Sequence, residues 1–287
     1  MRIALATNAE FAELFFDDEP LRAGLLSRGA AVDAAVWDDP GVDWAAYDLV
    51  VVRSTWDYVE RRDEFVRWAR SVPRLANSAR LVEWNTDKTY LRALGSAGVP
   101  VVPTAWLTSP ASLPALLSER GWTRAVVKPA VSAGARDTLL CSPDDAEGQA
   151  LLDKLVSNGT AMVQPYLPSV EEYGERSLLF ADGVFTHAVR RNPALTTEGF
   201  TRYDARLVDP ADDELAVARA VFEQLPETPL YARVDVARDE RGVPLLMELE
   251  VTEPQLFLRF SPAAAETLAD AVVARAGSAG SSTTTGS

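Results

Sequence analysis

The chain has 287 residues, 47% of them apolar, and a formal net charge of −14. That length builds two or three modules in one body, and the apolar share excludes wholesale disorder. The negative balance argues against nucleic acid or an anionic membrane as partner, because phosphate surfaces select basic proteins.

A single cysteine, Cys141, excludes an intramolecular disulfide. It lies in the run Thr138-Leu139-Leu140-Cys141 and reads as a small core residue rather than a nucleophile. No apolar run approaches the ~20 residues that cross a bilayer. The opening Met1–Thr7 is too short for a signal-peptide core and reads as a first strand. These features predict a cytoplasmic, reduced setting.

The first ~75 residues alternate strand and helix patterns, as an open parallel sheet requires. Ile3–Ala6 reads as a strand, Pro20–Arg28 as a helix ended by Gly29, and Ala31–Trp37 as the second strand. Leu49–Val52 is apolar throughout, like a strand buried on both faces. Arg61–Arg70 has Phe65, Val66 and Trp68 at helical spacing. Between these elements stands Arg53-Ser54-Thr55-Trp56-Asp57-Tyr58. Ligands of open α/β sheets lie at the carboxyl ends of strands, so Arg53 can clamp a substrate carboxylate and Ser54 or Thr55 can hydrogen-bond it. Helix capping explains Ser54 and Thr55 equally well but does not explain Arg53.

Asn85–Gly95 predicts a helix capped at Asn85 or Thr86, with Leu91 and Leu94 on one face and Lys88 near its start. A proline-punctuated entry, Gly98–Thr104, follows. From Ala125 to Leu167 the pattern is strand, loop, strand, helix (Asp144–Val156), strand. Lys128 ends the first of these strands and opens the small-residue loop Pro129–Ala135. Lysine beside such a loop is a recurrent phosphate setting, although the only glycine here is Gly134. Met162–Pro168 reads as a strand leaving into a linker whose backbone can meet an adenine edge, with Glu175 placed to accept from ribose hydroxyls. An ordinary interdomain connection gives the same pattern.

Antiparallel strands follow from Arg176, turning at Asp182-Gly183. Then come a helix from Asp212 to Gln224, two strands across the Asp239–Gly242 turn, and a closing helix from about Pro262 to Arg275. The Gly/Ser/Thr-rich tail reads as disordered. Alternation puts Arg233 and Asp235 on one face of the first strand and Glu248 and Glu250 on one face of the second. A hairpin brings the four together, and three close carboxylates need cations. The apolar neighbours Leu246, Met247, Leu249 and Val251 argue for burial over a solvated polar face. Oxygen ligands of this kind suit magnesium, which keeps substrate phosphates in its shell. An ATP site in so acidic a chain must be a local positive focus, for which Lys88, Lys128, Arg190, Arg191, Arg202 and Arg233 are available. His187, the one histidine, lies on an apolar face and reads as core, leaving no Ser–His–Asp set and no Cys/His zinc cluster.

In this order the segments resemble the ATP-grasp superfamily of carboxylate–amine ligases over nearly the whole chain. Bacterial glutathione synthetase is similar at the adenine linker and in a Val-Thr-x-Pro that recurs as Val251-Thr252-Glu253-Pro254. A narrower resemblance is carried by Val51–Tyr58, Lys128–Ala135, Met247–Glu250 and Glu253-Pro254. It is to the cyclo-ligase branch that makes D-cycloserine from O-ureido-serine.

The resemblance implies an α/β, ATP-grasp architecture: an N-terminal open α/β substrate domain (1–85), a central lid subdomain (86–168), a C-terminal subdomain with the metal site (169–276) and a disordered tail (277–287). It places Lys88 and Lys128 on ATP phosphates, with Lys128 also catalytic, and the loop Ser132, Ala133, Gly134 over them. Gln164, Tyr166 and Leu167 fall on adenine, Glu175 on ribose, and Arg202 near the transferred phosphate. Asp235, Glu248 and Glu250 become ligands of two magnesium ions. The loop is poorer in glycine than the family's, and Glu250 replaces a common asparagine. The implied activity is ATP-dependent activation of a small amino-acid-like carboxylate for attack by nitrogen. Its alternatives are an intermolecular, glutathione-type ligase and a non-catalytic ATP-binding protein. A redox dinucleotide enzyme would need Gly-x-Gly-x-x-Gly after the first strand, where Thr7–Ala12 has no glycine. A homo-oligomer is compatible with the sequence.

Overall fold

The structure is a computed structural model that describes residues 1–192, 195–196, 199–200 and 204–279. The first module is a parallel sheet of β1 (Arg2–Thr7), β2 (Ala31–Val36), β3 (Leu49–Val52) and β4 (Leu75–Ala76), in the order β2-β1-β3-β4. Every residue of β3 is buried, as its unbroken apolar run predicts. Helix α1 (Glu19–Ser27) ends before Gly29, whose φ of 78° suits a left-handed helix stop. Helix α2 (Arg62–Ser71) supplies Phe65 and Trp68 to an aromatic cluster with Trp37 and Tyr58.

Two short helices follow, α3 (Ala79–Asn85) and α4 (Tyr90–Ser96), where one helix was expected. Thr86 closes α3 instead of opening a helix, its N–H donating to Val82 O (3.0 Å). The Lys88 N–H is drawn sideways to Ala130 O (2.9 Å), which breaks the helical ladder.

The second module is an antiparallel sheet of β5 (Ala105–Leu107), β6 (Ala125–Pro129), β7 (Leu139–Cys141) and β8 (Ala161–Pro165), in the order β5-β8-β6-β7. Helices α5 (Leu113–Arg120) and α6 (Ala146–Asn158) bury Leu113, Leu117, Leu152 and Leu155 against it. Gly148 of α6 lies on Cys141, where an added Cβ would stand 2.5 Å from Sγ. Gly148→Ala should therefore destabilise the protein by about 1–3 kcal/mol through overpacking, read as a lowered Tm. An unchanged Tm would contradict the packing described. Burial pushes the Cys141 thiol up to about 12, so it is not a nucleophile.

Helix α7 (Ser169–Glu172) leads into the third module. This is an antiparallel sheet of β9 (Glu175–Ala181), β10 (Val184–Arg191), β13 (Ala205–Val208), β14 (Tyr231–Arg238) and β15 (Pro244–Glu250), in the order β13-β10-β9-β14-β15. A two-residue pair, β11 (Leu195–Thr196) and β12 (Gly199–Phe200), intervenes. The β9–β10 turn has positive φ at both Asp182 (49°) and Gly183 (78°), the geometry that matches strand twist in tight hairpins. Helix α8 (Asp212–Phe222), α3 and α4 cover one face, packing Val217, Val221, Leu81, Leu91 and Leu94 on Leu178, Val234 and Leu246.

Helix α9 (Pro262–Ala279) lies between the first and third sheets, with Leu268, Ala269 and Val272 among Ile3, Leu5, Leu25, Leu179 and Tyr231. Two boundaries expected from the sequence shift accordingly. The helix runs past Gly277 because Ala276 is still in this core; residues 280–287 of the expected tail lie outside the described residues. The stretch 86–102 packs with the third sheet rather than the second: Val102 N–H donates to Leu246 O (3.0 Å) and Leu246 N–H to Pro100 O (2.7 Å). Among the described residues no helix is long and apolar enough to cross a membrane.

Candidate active site

A cavity of about 850 Å³ opens where the three modules meet. Its floor is the β14–β15 hairpin, whose register sets Arg233 opposite Glu250 and Asp235 opposite Glu248. Strand β15 is held by side chains of α3 and α4. The Tyr90 hydroxyl donates to Leu249 O (2.7 Å) and accepts from Leu249 N–H (2.8 Å). The Asn85 amide donates to Leu249 O (2.7 Å) and its oxygen accepts from Val251 N–H (2.9 Å). Asn85 thus fixes the strand instead of capping a helix, which its place in the sequence does not disclose.

The charges on this floor are paired. Asp235 accepts from Ser177 Oγ (2.6 Å), Arg191 Nη2 (2.9 Å) and Arg233 Nη2 (2.9 Å). Burial pushes the Asp235 carboxyl upward, but Arg191 and Arg233 outweigh it and hold the group below the usual carboxylate range. Arg233 also pairs with Glu250, and Arg191 with Glu175 (2.9 Å). Burial, reinforced by Glu248 and Asp235 against the pull of Arg233, holds the Glu250 carboxyl above its usual range. The floor therefore carries more negative charge than its arginines neutralise.

Its donors are all oxygen, with no histidine or cysteine in the cavity wall, and such a set suits magnesium. Among the described residues no three Asp, Glu, His or Cys groups form a ready cage, because Arg233 stands between Asp235 and Glu250. Magnesium needs no such cage: one or two carboxylates plus substrate phosphates complete its shell. Glu248 and Glu250 meet that requirement. Asp235 joins only if Arg233 withdraws.

Both lysines reach the cavity. Lys88 Nζ donates to Ser132 O (2.6 Å) and Ser132 Oγ (3.3 Å) and pairs with Glu248 (3.1 Å), tying the small-residue loop to the acidic strand. Lys128 is half-buried without an ion-pair partner among the described residues, and desolvation lowers its pKa. An unpaired cation facing a cavity is a seat for an anion. Ser132, Ala133 and Gly134 line the same side, and Arg136 beyond them pairs with Glu60 of the first module.

The linker forms the far wall. The Gln164 amide is fixed by Thr104 Oγ1 (2.9 Å), and Tyr166 N–H donates to Arg124 O (3.1 Å) beneath the Arg124 guanidinium, 4.8 Å from the ring. Val102, Val126, Leu167 and Val170 give this part of the cavity an apolar lining, the chemistry a purine face needs. Glu175 reaches the cavity, though its carboxylate already meets Arg191.

One group of expected residues is not in the cavity. Arg53 is 2% exposed and donates to Asp18 Oδ1 (2.8 Å) and Pro254 O (2.8 Å). Ser54 donates to Asp18 Oδ2 (2.7 Å), and Thr55 is buried. The expected carboxylate clamp is a strut: the end of β3 turns inward, and the buried Asp18 consumes the Arg53 charge. The residues just beyond, Trp56, Asp57 and Tyr58, face the cavity instead. Arg190 alternates away from Arg191 and donates to Tyr173 O (3.0 Å). Arg202 lies outside the described residues. His187 is buried away from the cavity, and burial pushes it down to about 4, as a core histidine.

Residues 3–77 match the family described as the N-terminal domain of D-cycloserine synthetase DcsG. The cycloserine biosynthesis protein DcsG of Streptomyces lavendulae is 33% identical over 295 residues, covering 95% of this chain and 98% of that protein. The crystal structure of D-cycloserine synthetase DcsG superposes with a TM-score of 0.88 at 32% identity, over 96% of this chain and 100% of that one. A RimK-domain ATP-grasp protein from Sphaerobacter thermophilus shares the fold at 19% identity, with a TM-score of 0.70 over 95% and 100% of the two chains. The chain belongs to the D-cycloserine synthetase family and shares the fold of ATP-grasp proteins.

Proposed function

We propose that the enzyme phosphorylates the carboxylate of a small amino-acid derivative and closes it on its own nitrogen, with O-ureido-D-serine as substrate and antibiotic biosynthesis as setting. The observation that carries this is the unpaired Lys128 facing the Glu248–Glu250 strand across one cavity. Lys88 and Lys128 hold the ATP phosphates, and the Ser132–Gly134 loop covers them. Gln164, Tyr166 and Leu167 frame adenine, with Glu175 beside the ribose. Glu248 and Glu250 hold magnesium, two ions in all, with Asp235 as third ligand once Arg233 withdraws. When bound, magnesium neutralises charge on the transferring phosphoryl group. Arg202 supplies a further positive charge there.

The chain's own work is placement and neutralisation, so no protein nucleophile is needed. A carboxylate oxygen attacks the terminal phosphorus and ADP leaves. The nitrogen bound to the side-chain oxygen then attacks the acyl carbon, and phosphate leaves with formation of the five-membered ring. That nitrogen still bears a carbamoyl group. Its removal consumes one water and yields ammonia and carbon dioxide.

Phosphate release with Mg-ATP and O-ureido-D-serine alone is the expected result. Release only when an amino acid and a separate amine are both present would make the enzyme an intermolecular ligase. ATP binding without release from either set would support a nucleotide-binding role.

A further inference from the structure

The wall that the first module gives to the cavity carries carboxylates, and two of them are neutralised within the protein. Asp57 pairs with Arg61 (2.9 Å), and Glu60 pairs with Arg136. Glu253, which stands beside this wall in the segment that follows β15, is different. It is 7% exposed, lines the cavity, and forms no ion pair among the described residues. Lys88 acts on it through space, but all three Lys88 N–H groups go to Ser132 O, Ser132 Oγ and Glu248. The donors to the Glu253 carboxylate are neutral, the Tyr58 hydroxyl and its own backbone N–H.

Its backbone is fixed from three sides. Trp56 Nε1 donates to Glu253 O (3.0 Å), Arg53 Nη2 to Pro254 O (2.8 Å) and Arg233 Nη1 to Gln255 O (3.2 Å). A buried carboxylate held this firmly and left without a cation is incomplete until a ligand brings one.

We infer that Glu253 binds the α-ammonium group of the substrate and selects α-amino acids over plain carboxylic acids. The inference rests on the reading of the site as one that activates an amino-acid carboxylate. Glu253 lies three residues beyond Glu250, so an acid phosphorylated beside the metal carboxylates presents its α-nitrogen, two bonds from the acyl carbon, toward this wall. The contact also keeps the amine protonated.

The test compares O-ureido-D-serine with its des-amino counterpart, 3-(ureidooxy)propanoic acid, by kcat/KM for ADP formation in the wild type and in Glu253→Gln. The glutamine keeps the size of the side chain and an acceptor for Tyr58. The wild type should prefer the amino compound roughly 100-fold, as a desolvated charge pair does, and the variant should lose most of that preference by failing on the amino compound alone. An equal loss on both compounds would assign Glu253 to the metal or to structure and overturn the inference. So would a wild type that turns over both equally well, a result that leaves the ligase reading intact and settles the matter even if the variant does not fold. A wild type that uses neither compound overturns the substrate reading and this inference with it.

Discussion

Arg53→Ala should lower stability by about 3–5 kcal/mol, on the order of 10 °C in Tm, while ATP affinity is unchanged. The guanidinium is buried with Asp18 at 2.8 Å and gives a second hydrogen bond to Pro254 O. Truncation strands the Asp18 carboxylate, whose only other partner among the hydrogen bonds described is Ser54. A stranded buried charge costs far more than the pair itself contributes. The variant also unties the first module from the loop that follows β15. Thermal unfolding with and without Mg-ATP measures both effects. A variant with wild-type Tm and a raised KM for the acidic substrate would contradict this assignment and return Arg53 to the role of clamp.

Glu248→Gln should reduce kcat by about 100- to 1,000-fold with little change in Tm. The side chain is 26% exposed and packs no core, so the fold loses one partly solvated ion pair with Lys88. Lys88 keeps both bonds to Ser132. The function loses a charge that holds magnesium on the transferring phosphate, so raised magnesium should restore part of the rate. Near-wild-type turnover at ordinary magnesium would remove Glu248 from the metal site.

The element types and the hairpin register were legible in the sequence because both rest on periodicity. The run of β3 could be read as a doubly buried strand, and the one-apart spacing of Arg233 with Asp235 and of Glu248 with Glu250 predicted their meeting. Lys128 was legible as a phosphate candidate because a cation beside a small-residue loop has a local signature, whereas Lys88 was reached through the family resemblance; both line the cavity. What failed was direction and partnership over long range. Arg53 was assigned outward on the strength of the strand end alone; its partner Asp18 is 35 residues earlier and carries no local sign of burial. Asn85 and Tyr90 read as helix residues, yet they hold a strand 159 and more residues away. Glu253 stood in the sequence only as part of a recurring motif. Its significance comes from which cations around it are already engaged, and that is visible only in the assembled cavity.

The measurement closest to the central claim follows oxygen. O-ureido-D-serine labelled with ¹⁸O in its carboxylate is turned over with Mg-ATP, and the released phosphate is weighed by mass spectrometry. Activation through an acyl phosphate predicts one ¹⁸O in each phosphate, with ADP as the nucleotide product. Unlabelled phosphate, or AMP in place of ADP, would contradict it.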